Sequence, residues 1–343
     1  MAMAASLAGK LSGFLKNPTV KAVGVNTSWL MVDKLARMGV SLLMSVLIAR
    51  HLGPKGFGQL SLATSFVGFF IPIASFGLDR ILVRDFVKGT PEPGTILGTA
   101  MTWRVVGGLL IMLLATLISS FIYRGSNNMI LLVAILGIAP VVQAGDVIDF
   151  LFQSRLESKY VAISKLSSLF LSTGIRIALL HFSASAMGFA IASLLESLLL
   201  TLFLIFSLYR RKVVKDAIRV SKTYVKRLIV EGWPLALNLA FHVVYLRVSV
   251  MCLGQMKGDA AVGQFAAATR IYDGIVPIFS LLCTSLFPTL VRAYEQDQKI
   301  FLDKFVKASK VLAAIGWCAA IGAGVGSIWV LPVLFGPKYQ ESG

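Results

Sequence analysis

Residues 52–64 read LGPKGFGQLSLAT, and residues 253–269 read LGQMKGDAAVGQFAAAT. Each stretch follows an apolar run that opens with a tryptophan, Trp29 in the first copy and Trp233 in the second. The offset between the copies drifts only from 201 residues at the Leu-Gly pair to 205 at the Gly-Gln pair. A repeat of this length in an apolar chain predicts a protein with two similar halves.

The composition is typical of a membrane protein. Of the 343 residues, 57% are hydrophobic and 14% are charged, whereas a soluble domain is about 45–50% apolar and about a quarter charged. Several separate apolar runs reach about twenty residues, which is the length of a membrane-spanning helix. We therefore predict an all-α, polytopic membrane helix bundle.

Nine spans are predicted, at roughly 25–51, 56–78, 96–122, 128–152, 160–181, 186–208, 229–253, 260–291 and 308–335. They divide the chain into an amphipathic segment (1–24), a first lobe of six spans (25–208), a linker (209–228) and a second lobe of three spans (229–343). Repeats separated by six spans keep the same orientation, so two six-helix lobes would be related by a pseudo-two-fold axis along the membrane normal. The second lobe is incomplete by about three helices on this basis, and we expect the chain to be truncated.

Basic residues are concentrated on one side of the predicted bundle. Twenty-one lie in segments on the side of the N-terminus, eight of them in the linker 209–228, against four on the opposite side. The positive-inside rule therefore predicts a cytoplasmic N-terminus. The net charge of +17 is explained by this topology and by contact with anionic membrane lipids, so nucleic acid is not expected as a partner.

Basic and acidic residues remain within the predicted spans. Each costs about 2.5–3.5 kcal/mol at the centre of a span, so these side chains must face the protein interior, a water-filled cavity or one another. Cations at different depths suit an anionic cargo that carries phosphate or carboxylate. The candidate substrate-binding residues are Arg37, Arg104, Lys165, Arg176, Arg247 and Arg270, and the candidate ion-coupling acids are Asp33, Asp146, Asp149, Glu196 and Asp273. For any one of them a structural ion pair, such as Asp33 with Arg37 or Arg270 with Asp273, is an equally good interpretation.

The sequence offers no pattern typical of an enzyme. The three cysteines are scattered through apolar runs, and we find no metal-ligand spacing, no phosphate-binding glycine loop and no nucleophile–base pair. We predict no catalytic residues, no metal and no cofactor, apart from H⁺ or Na⁺ as a coupling ion.

Several short motifs carry a family resemblance. They are IARHLGP at 48–54 followed by Phe57-Gly58, FGLDR at 76–80, and GQF at 263–265 followed by ATRI at 268–271. In these motifs the chain resembles the polysaccharide-export flippases, which translocate O-antigen and lipopolysaccharide units and belong to the larger MATE-like exporter superfamily. Two positions depart from the pattern, because Ser249 stands where related chains often carry an acid and Phe265 where tyrosine is common.

The resemblance implies that a polyprenyl-pyrophosphate-linked oligosaccharide moves from the inner to the outer leaflet of the bacterial cytoplasmic (inner) membrane. The mechanism would be alternating access about a cationic cavity, driven by an ion gradient, with about a dozen spans in all. We expect a monomer, with a glycan polymerase as a candidate partner. Two alternatives stay open: a cation-coupled drug exporter of the same superfamily, and a membrane enzyme, a polymerase or ligase of lipid-linked glycans, for which the predicted outer loops are short.

Overall fold

The computed structural model describes residues 18–211 and 217–342, and every regular element within these ranges is helical. Residues 1–17 of the predicted amphipathic segment and residues 212–216 of the predicted linker lie outside the described residues.

The helices in chain order are α1 (Pro18–Ser75), α2 (Asp79–Lys88), α3 (Pro93–Ile122), α4 (Asn127–Val142), α5 (Val147–Ser154), α6 (Ser158–His181), α7 (Ala186–Arg211), α8 (Lys222–Lys257), α9 (Asp259–Gln296) and α10 (Gln298–Phe335). A 3-10 helix, Gln143–Asp146, joins α4 to α5, and a second one, Pro337–Ser342, follows α10.

Local sequence accounts for several helix boundaries. α1 is kinked at Gly53, whose backbone (φ 66°, ψ 176°) is of a kind essentially restricted to glycine. α2 ends at Gly89, which is left-handed and donates its N–H to the carbonyl of Asp85. α10 begins after Asp297, whose side chain accepts a hydrogen bond from the N–H of Lys299.

Seven helical stretches among the described residues are long and apolar enough to cross a membrane. The first, Val25–Lys88, has 64 residues, about three times the length that one span requires. It contains the kink at Gly53 that lies between predicted spans one and two. The prediction of an all-α, polytopic membrane protein is confirmed, while the count of nine spans and the arrangement of the lobes stay predictions.

The described chain forms two compact units. The first contains the chain up to Val40 together with Leu62–Cys252, and the second contains Ser41–Ser61 together with the chain from Leu253 onwards. The predicted lobes, 25–208 and 229–343, have other boundaries and stay a prediction.

The core of the first unit includes one face of the short amphipathic helix α2. Leu82 and Phe86 are buried there, in a cluster that they share with Leu97 of α3, Phe152 of α5 and Leu228 of α8. Burial of such side chains contributes about 1.5–3 kcal/mol each. The helix that follows the linker is therefore anchored on the core of the first unit.

Within the second unit the two copies of the repeat pack against each other through glycine. A Cβ atom on Gly58 would overlap the carbonyl oxygen of Asp259, and a Cβ atom on Gly263 would overlap the carbonyl oxygen of Pro54. Gly58 and Gly263 occupy equivalent positions 205 residues apart, and so do Pro54 and Asp259. The contact is thus reciprocal, as local two-fold symmetry requires, and only glycine permits this close approach.

The same offset corrects the alignment of the repeat at its start. Gly258, which precedes α9, has φ 79° and ψ −177°, nearly the conformation of Gly53. Gly53 therefore corresponds to Gly258, and not to Gly254 as the Leu-Gly pairing suggests.

The end of α10 is also fixed within the second unit. Arg50 donates hydrogen bonds to the carbonyls of Val333 and Leu334, and the Tyr339 hydroxyl donates to the carbonyl of Ala49 at 2.9 Å. These hydrogen bonds hold the last turn of α10 and the 3-10 helix that follows it against α1.

Candidate functional site

Charged side chains from five segments of the first unit come together in what we call the Arg104–Lys165 cluster. Its members are Asp79 of α2, Arg104 of α3, Asp146 of the 3-10 helix, Asp149 of α5 and Lys165 of α6. Arg104 Nη2 lies 2.6 Å from Asp79 Oδ1, and Lys165 Nζ lies 2.6 Å from Asp149 Oδ2. Asp146 interacts electrostatically with all four. The structure therefore unites four of the residues that the sequence predicted separately.

Most of the cluster is shielded from solvent, although the side chain of Asp79 is 53% exposed. The side chains of Asp149, Arg104 and Lys165 are 7%, 10% and 22% exposed. Asp149 also accepts a hydrogen bond from Gln153 Nε2 at 2.8 Å, and the Arg104 guanidinium lies 5.2 Å from the centre of the Phe150 ring. Buried charges are stable in such a place only when each has a partner.

A break in the predicted fourth span sets the direction of Asp146 and Asp149. The predicted single span 128–152 is divided by the 3-10 helix Gln143–Asp146, just after Pro140, which has no N–H to donate. Thr201 of α7 stabilises the break, since its hydroxyl donates to the carbonyl of Val142 at 2.9 Å.

Arg176 of α6 and Glu196 of α7 form a second pair. Arg176 Nη2 lies 2.8 Å from Glu196 Oε2 and 3.2 Å from Ser193 Oγ. The two charged side chains are 14% and 20% exposed. Glu196 is thus the counter-charge of an arginine on the neighbouring helix, one of the two roles that the sequence allows for it.

Arg247 of α8 has a different environment. Its Nη1 atom lies 3.4 Å from Ser65 Oγ, and no carboxylate of the described residues lies within 4.0 Å of it. The residue is exposed, and it lies on the side of α8 opposite the exposed residues Asn238, His242 and Tyr245. Because an arginine in a spanning helix cannot remain in contact with lipid tails, the face of α8 that carries Arg247 is expected to line a polar space.

The two remaining candidate substrate-binding residues, Arg37 and Arg270, each lie near an acid on the same helix. Arg37 Nη2 lies 2.9 Å from Asp33 Oδ1 one turn earlier in α1. Arg270 Nη1 lies 3.9 Å from Asp273 Oδ2 within α9.

The structure pairs three of the cations that the sequence predicts at different depths of the membrane. Arg104, Lys165 and Arg176 each have a carboxylate within 3 Å, although none of these carboxylates lies on the same helix. Helical spacing could not identify partners on other helices. The part that these residues play in substrate binding or ion coupling stays a prediction.

The sequence did not predict a network centred on Asp85 of α2. Asp85 is fully buried and accepts hydrogen bonds from Tyr224 Oη at 3.0 Å, Arg84 Nε at 3.0 Å and Arg227 Nη2 at 3.3 Å. Glu231 in turn accepts from Arg84 Nη2 at 2.5 Å and from Arg227 Nε at 2.7 Å. We call these five residues the Asp85 network, and it joins α2 to the first turns of α8.

Tyr224 lies before the predicted seventh span, at 229–253, and its hydroxyl donates to Asp85. Burial, reinforced by the Asp85 carboxylate, raises the pKa of Tyr224. The phenol therefore stays protonated and keeps its role as donor. The sequence feature that indicates this network is Asp85 itself, because it is an acid among the buried residues Ile81, Leu82 and Phe86 of an amphipathic helix.

Metal binding finds no support in the described part of the chain, where no group of three or more His, Cys, Asp and Glu side chains could hold an ion.

Comparisons with known proteins agree on one family. The model of the polysaccharide biosynthesis protein family matches residues 23–294. The lipopolysaccharide biosynthesis protein WzxC of Escherichia coli (strain K12) is 22% identical over 320 residues, which are 91% of this chain and 63% of WzxC. The putative O-antigen transporter of the same strain is 20% identical over 312 residues, which are 86% of this chain and 71% of that protein. The chain thus spans less than two thirds of the length of WzxC.

The fold has a solved counterpart as well. The inward-facing conformation of a multidrug resistance MATE family transporter of the MOP superfamily is similar with a TM-score of 0.59 and 17% identity, over 89% of this chain and 74% of the other. This likeness shows the fold alone. With the family match over most of its length, and with the predicted resemblance confirmed, the chain belongs to the polysaccharide biosynthesis protein family and has the helical fold of MATE transporters.

Proposed function

We propose that the protein is a flippase that moves a polyprenyl-pyrophosphate-linked oligosaccharide, an O-antigen or similar repeat unit, from the inner to the outer leaflet. The family match and the names of the two relatives support a transporter of polysaccharide precursors. They also support a protein that is not an enzyme. The proposed setting is the bacterial cytoplasmic membrane, with the N-terminus inside in keeping with the distribution of basic residues.

The observation that carries the proposal is the position of Arg247. It is an exposed cation in an apolar helix, held by one long hydrogen bond to a serine hydroxyl. Such a guanidinium can form a bidentate, charge-assisted interaction with a phosphate without first leaving a carboxylate.

The ion pairs fit a mechanism of partner exchange. During alternating access the pyrophosphate would replace the carboxylate partner of Arg104, Lys165 or Arg176, and each pair would re-form after the cargo leaves. No buried cation would then be left without a partner in the empty protein, a state that costs several kcal/mol. The lipid tail would stay in the bilayer throughout.

The test is substitution of Arg247 in cells that lack their own flippase. We expect Arg247→Ala to lower surface glycan about ten- to hundredfold, because a hydrogen bond to a charged group contributes about 1.5–3 kcal/mol. Arg247→Lys should retain part of the export. Arg124→Ala is the matched control, since Arg124 lies in a predicted outer loop with its guanidinium over Phe121. Normal export by Arg247→Ala, at a normal amount of protein in the membrane, would contradict the proposal.

We also propose that Asp146 is the acid that couples transport to the ion gradient. Among the acids of the Arg104–Lys165 cluster it interacts with both cations, yet it has no hydrogen-bond partner in the described part of the chain. We expect Asp146→Asn to make transport independent of the H⁺ or Na⁺ gradient, whereas Asp303→Asn, which removes an exposed acid paired with Lys307, should not. Unchanged gradient dependence in Asp146→Asn would remove Asp146 from this role.

The Asp85 network bears on the proposed alternating-access mechanism. It ties α2 of the first predicted lobe to α8 of the second through five charged or polar side chains. A monomer whose lobes rock against each other would have to break these hydrogen bonds in each transport cycle, or move α2 and α8 together. A glycan polymerase stays a candidate partner.

A further inference from the structure

A groove between α6 and α7 lies apart from the residues discussed so far. We call it the α6–α7 groove; its volume is about 490 Å³, and its lining includes Lys159, Tyr160, Ile163, Ser167, Phe206 and Arg210. None of these residues belongs to the Arg104–Lys165 cluster or to the Asp85 network. Ser164 and Ser207, whose hydroxyls are 3.3 Å apart, connect the two helices at the groove.

The charged end of the groove is strongly basic. Lys159 lies in the first turn of α6, and Arg210 and Arg211 end α7. The Arg211 guanidinium lies 4.5 Å from the centre of the Tyr160 ring and 3.4 Å from the carboxylate of Glu157. Within the described chain no carboxylate lies within 4.0 Å of Lys159 or Arg210. Two positive charges are therefore available to a ligand, and a third is only partly compensated.

The other walls of the groove are apolar and exposed. Phe206 is 60% exposed and Ile163 is 43% exposed, and both lie within predicted spans. Ser207 supplies a hydroxyl between Phe206 and Arg210 along α7, and Ser167 supplies a second one a turn beyond Ile163 along α6. Going along the groove, a ligand thus meets cations first and then an apolar surface, at the depth of the lipid tails, that carries hydroxyl groups.

We propose that the α6–α7 groove binds an anionic phospholipid of the cytoplasmic leaflet. The phosphate would lie between Lys159 and Arg210, the glycerol near the serines, and one acyl chain along Phe206 and Ile163. Charge complementarity carries this assignment, since a zwitterionic headgroup would bring its own cation against these side chains. A volume of about 490 Å³ suits a ligand the size of a phospholipid headgroup. The inference does not depend on the proposed transport function.

The experiment is native mass spectrometry of the purified protein with equimolar phosphatidylglycerol and phosphatidylcholine. We expect about 25-fold preference for phosphatidylglycerol, because each of the two available basic side chains contributes about fivefold in affinity near an anionic lipid. The triple variant Lys159→Gln, Arg210→Gln, Arg211→Gln should lower the preference to about twofold or less. The control triple variant Arg219→Gln, Lys222→Gln, Lys226→Gln removes the same charge from exposed positions outside the groove and should keep it.

A steric variant tests the groove without any change of charge. Ser167 lines the groove and is exposed, so Ser167→Trp should lower phosphatidylglycerol binding even where the triple variant fails to fold. Equal binding of both phospholipids to the wild type, or the same loss in both triple variants, would overturn the proposal. Displacement of phosphatidylglycerol by undecaprenyl phosphate at a lower concentration would also overturn it, because the groove would then belong to the carrier lipid.

Discussion

Alanine at Gly58 or Gly263 tests the contact between the two copies of the repeat. At both positions the added methyl group would overlap a backbone carbonyl of the other copy. A carbonyl cannot rotate away as the end of a flexible side chain can, so the helices must move apart. Such overpacking typically costs about 1–3 kcal/mol.

Gly174 of α6 provides the control, because a Cβ atom there would have no neighbour within 4 Å. Alanine is favoured over glycine in a helix by about 0.5–1 kcal/mol, and this gain applies to all three positions. Relative to Gly174→Ala, each of the other two variants should therefore be less stable by about 1–3 kcal/mol. The double variant should lose less than the sum of the two, since one movement of the helices accommodates both methyl groups.

The assay is the midpoint of thermal unfolding of each purified variant, in one detergent and at one heating rate. We expect Gly58→Ala and Gly263→Ala to unfold at similar temperatures, both below that of Gly174→Ala. Midpoints equal to that of Gly174→Ala for both variants would refute the reciprocal glycine contact.

Two further predictions concern the hydrogen-bond partners of two carboxylates, Asp85 and Glu196, and the same unfolding assay tests both. Tyr224→Phe should destabilise the protein by about 1.5–3 kcal/mol, because buried Asp85 loses a donor; exposed Tyr209→Phe should be neutral, and equal midpoints for the two would remove Tyr224 from the Asp85 network. Arg176→Gln should cost about 3–5 kcal/mol because it leaves Glu196 unpaired, and adding Glu196→Gln should recover part of the loss. A double variant that is less stable than Arg176→Gln would show that the two residues are not coupled in this way.

Features that depend on local sequence could be predicted from the sequence. The repeated glycines mark where helices end or approach closely, and Gly53, Gly58 and Gly263 do so in the structure. Apolar length predicted the membrane helices, and the short motifs predicted the family. The kink at Gly53, the membrane helices and the motifs are set by neighbours along the chain, so periodicity and backbone preference suffice to find them, whereas the repeat shows that Gly58 and Gly263 are equivalent but not that they meet.

The partners of the charged residues could not be predicted. Arg104 pairs with Asp79 and Lys165 with Asp149, each across two helices, and no periodicity within one helix relates such positions. The 3-10 helix at 143–146 also changes which residues share a face, so α-helical periodicity does not hold across the whole of the predicted span 128–152. The Asp85 network could not be predicted because Asp85 lies on the apolar side of α2, and two of its three donors, Tyr224 and Arg227, belong to α8.

We propose that the protein moves a phosphate-bearing lipid across the bilayer with the help of Arg247. The direct measurement is translocation of a fluorescent polyprenyl-pyrophosphate-linked oligosaccharide in vesicles that contain the purified protein, detected by the access of an external quencher. We expect transfer by the wild type well above that in protein-free vesicles, and about ten- to hundredfold slower transfer by Arg247→Ala. Wild-type transfer no faster than in protein-free vesicles, or equal rates for the wild type and Arg247→Ala, would rule out this function for Arg247 and the protein.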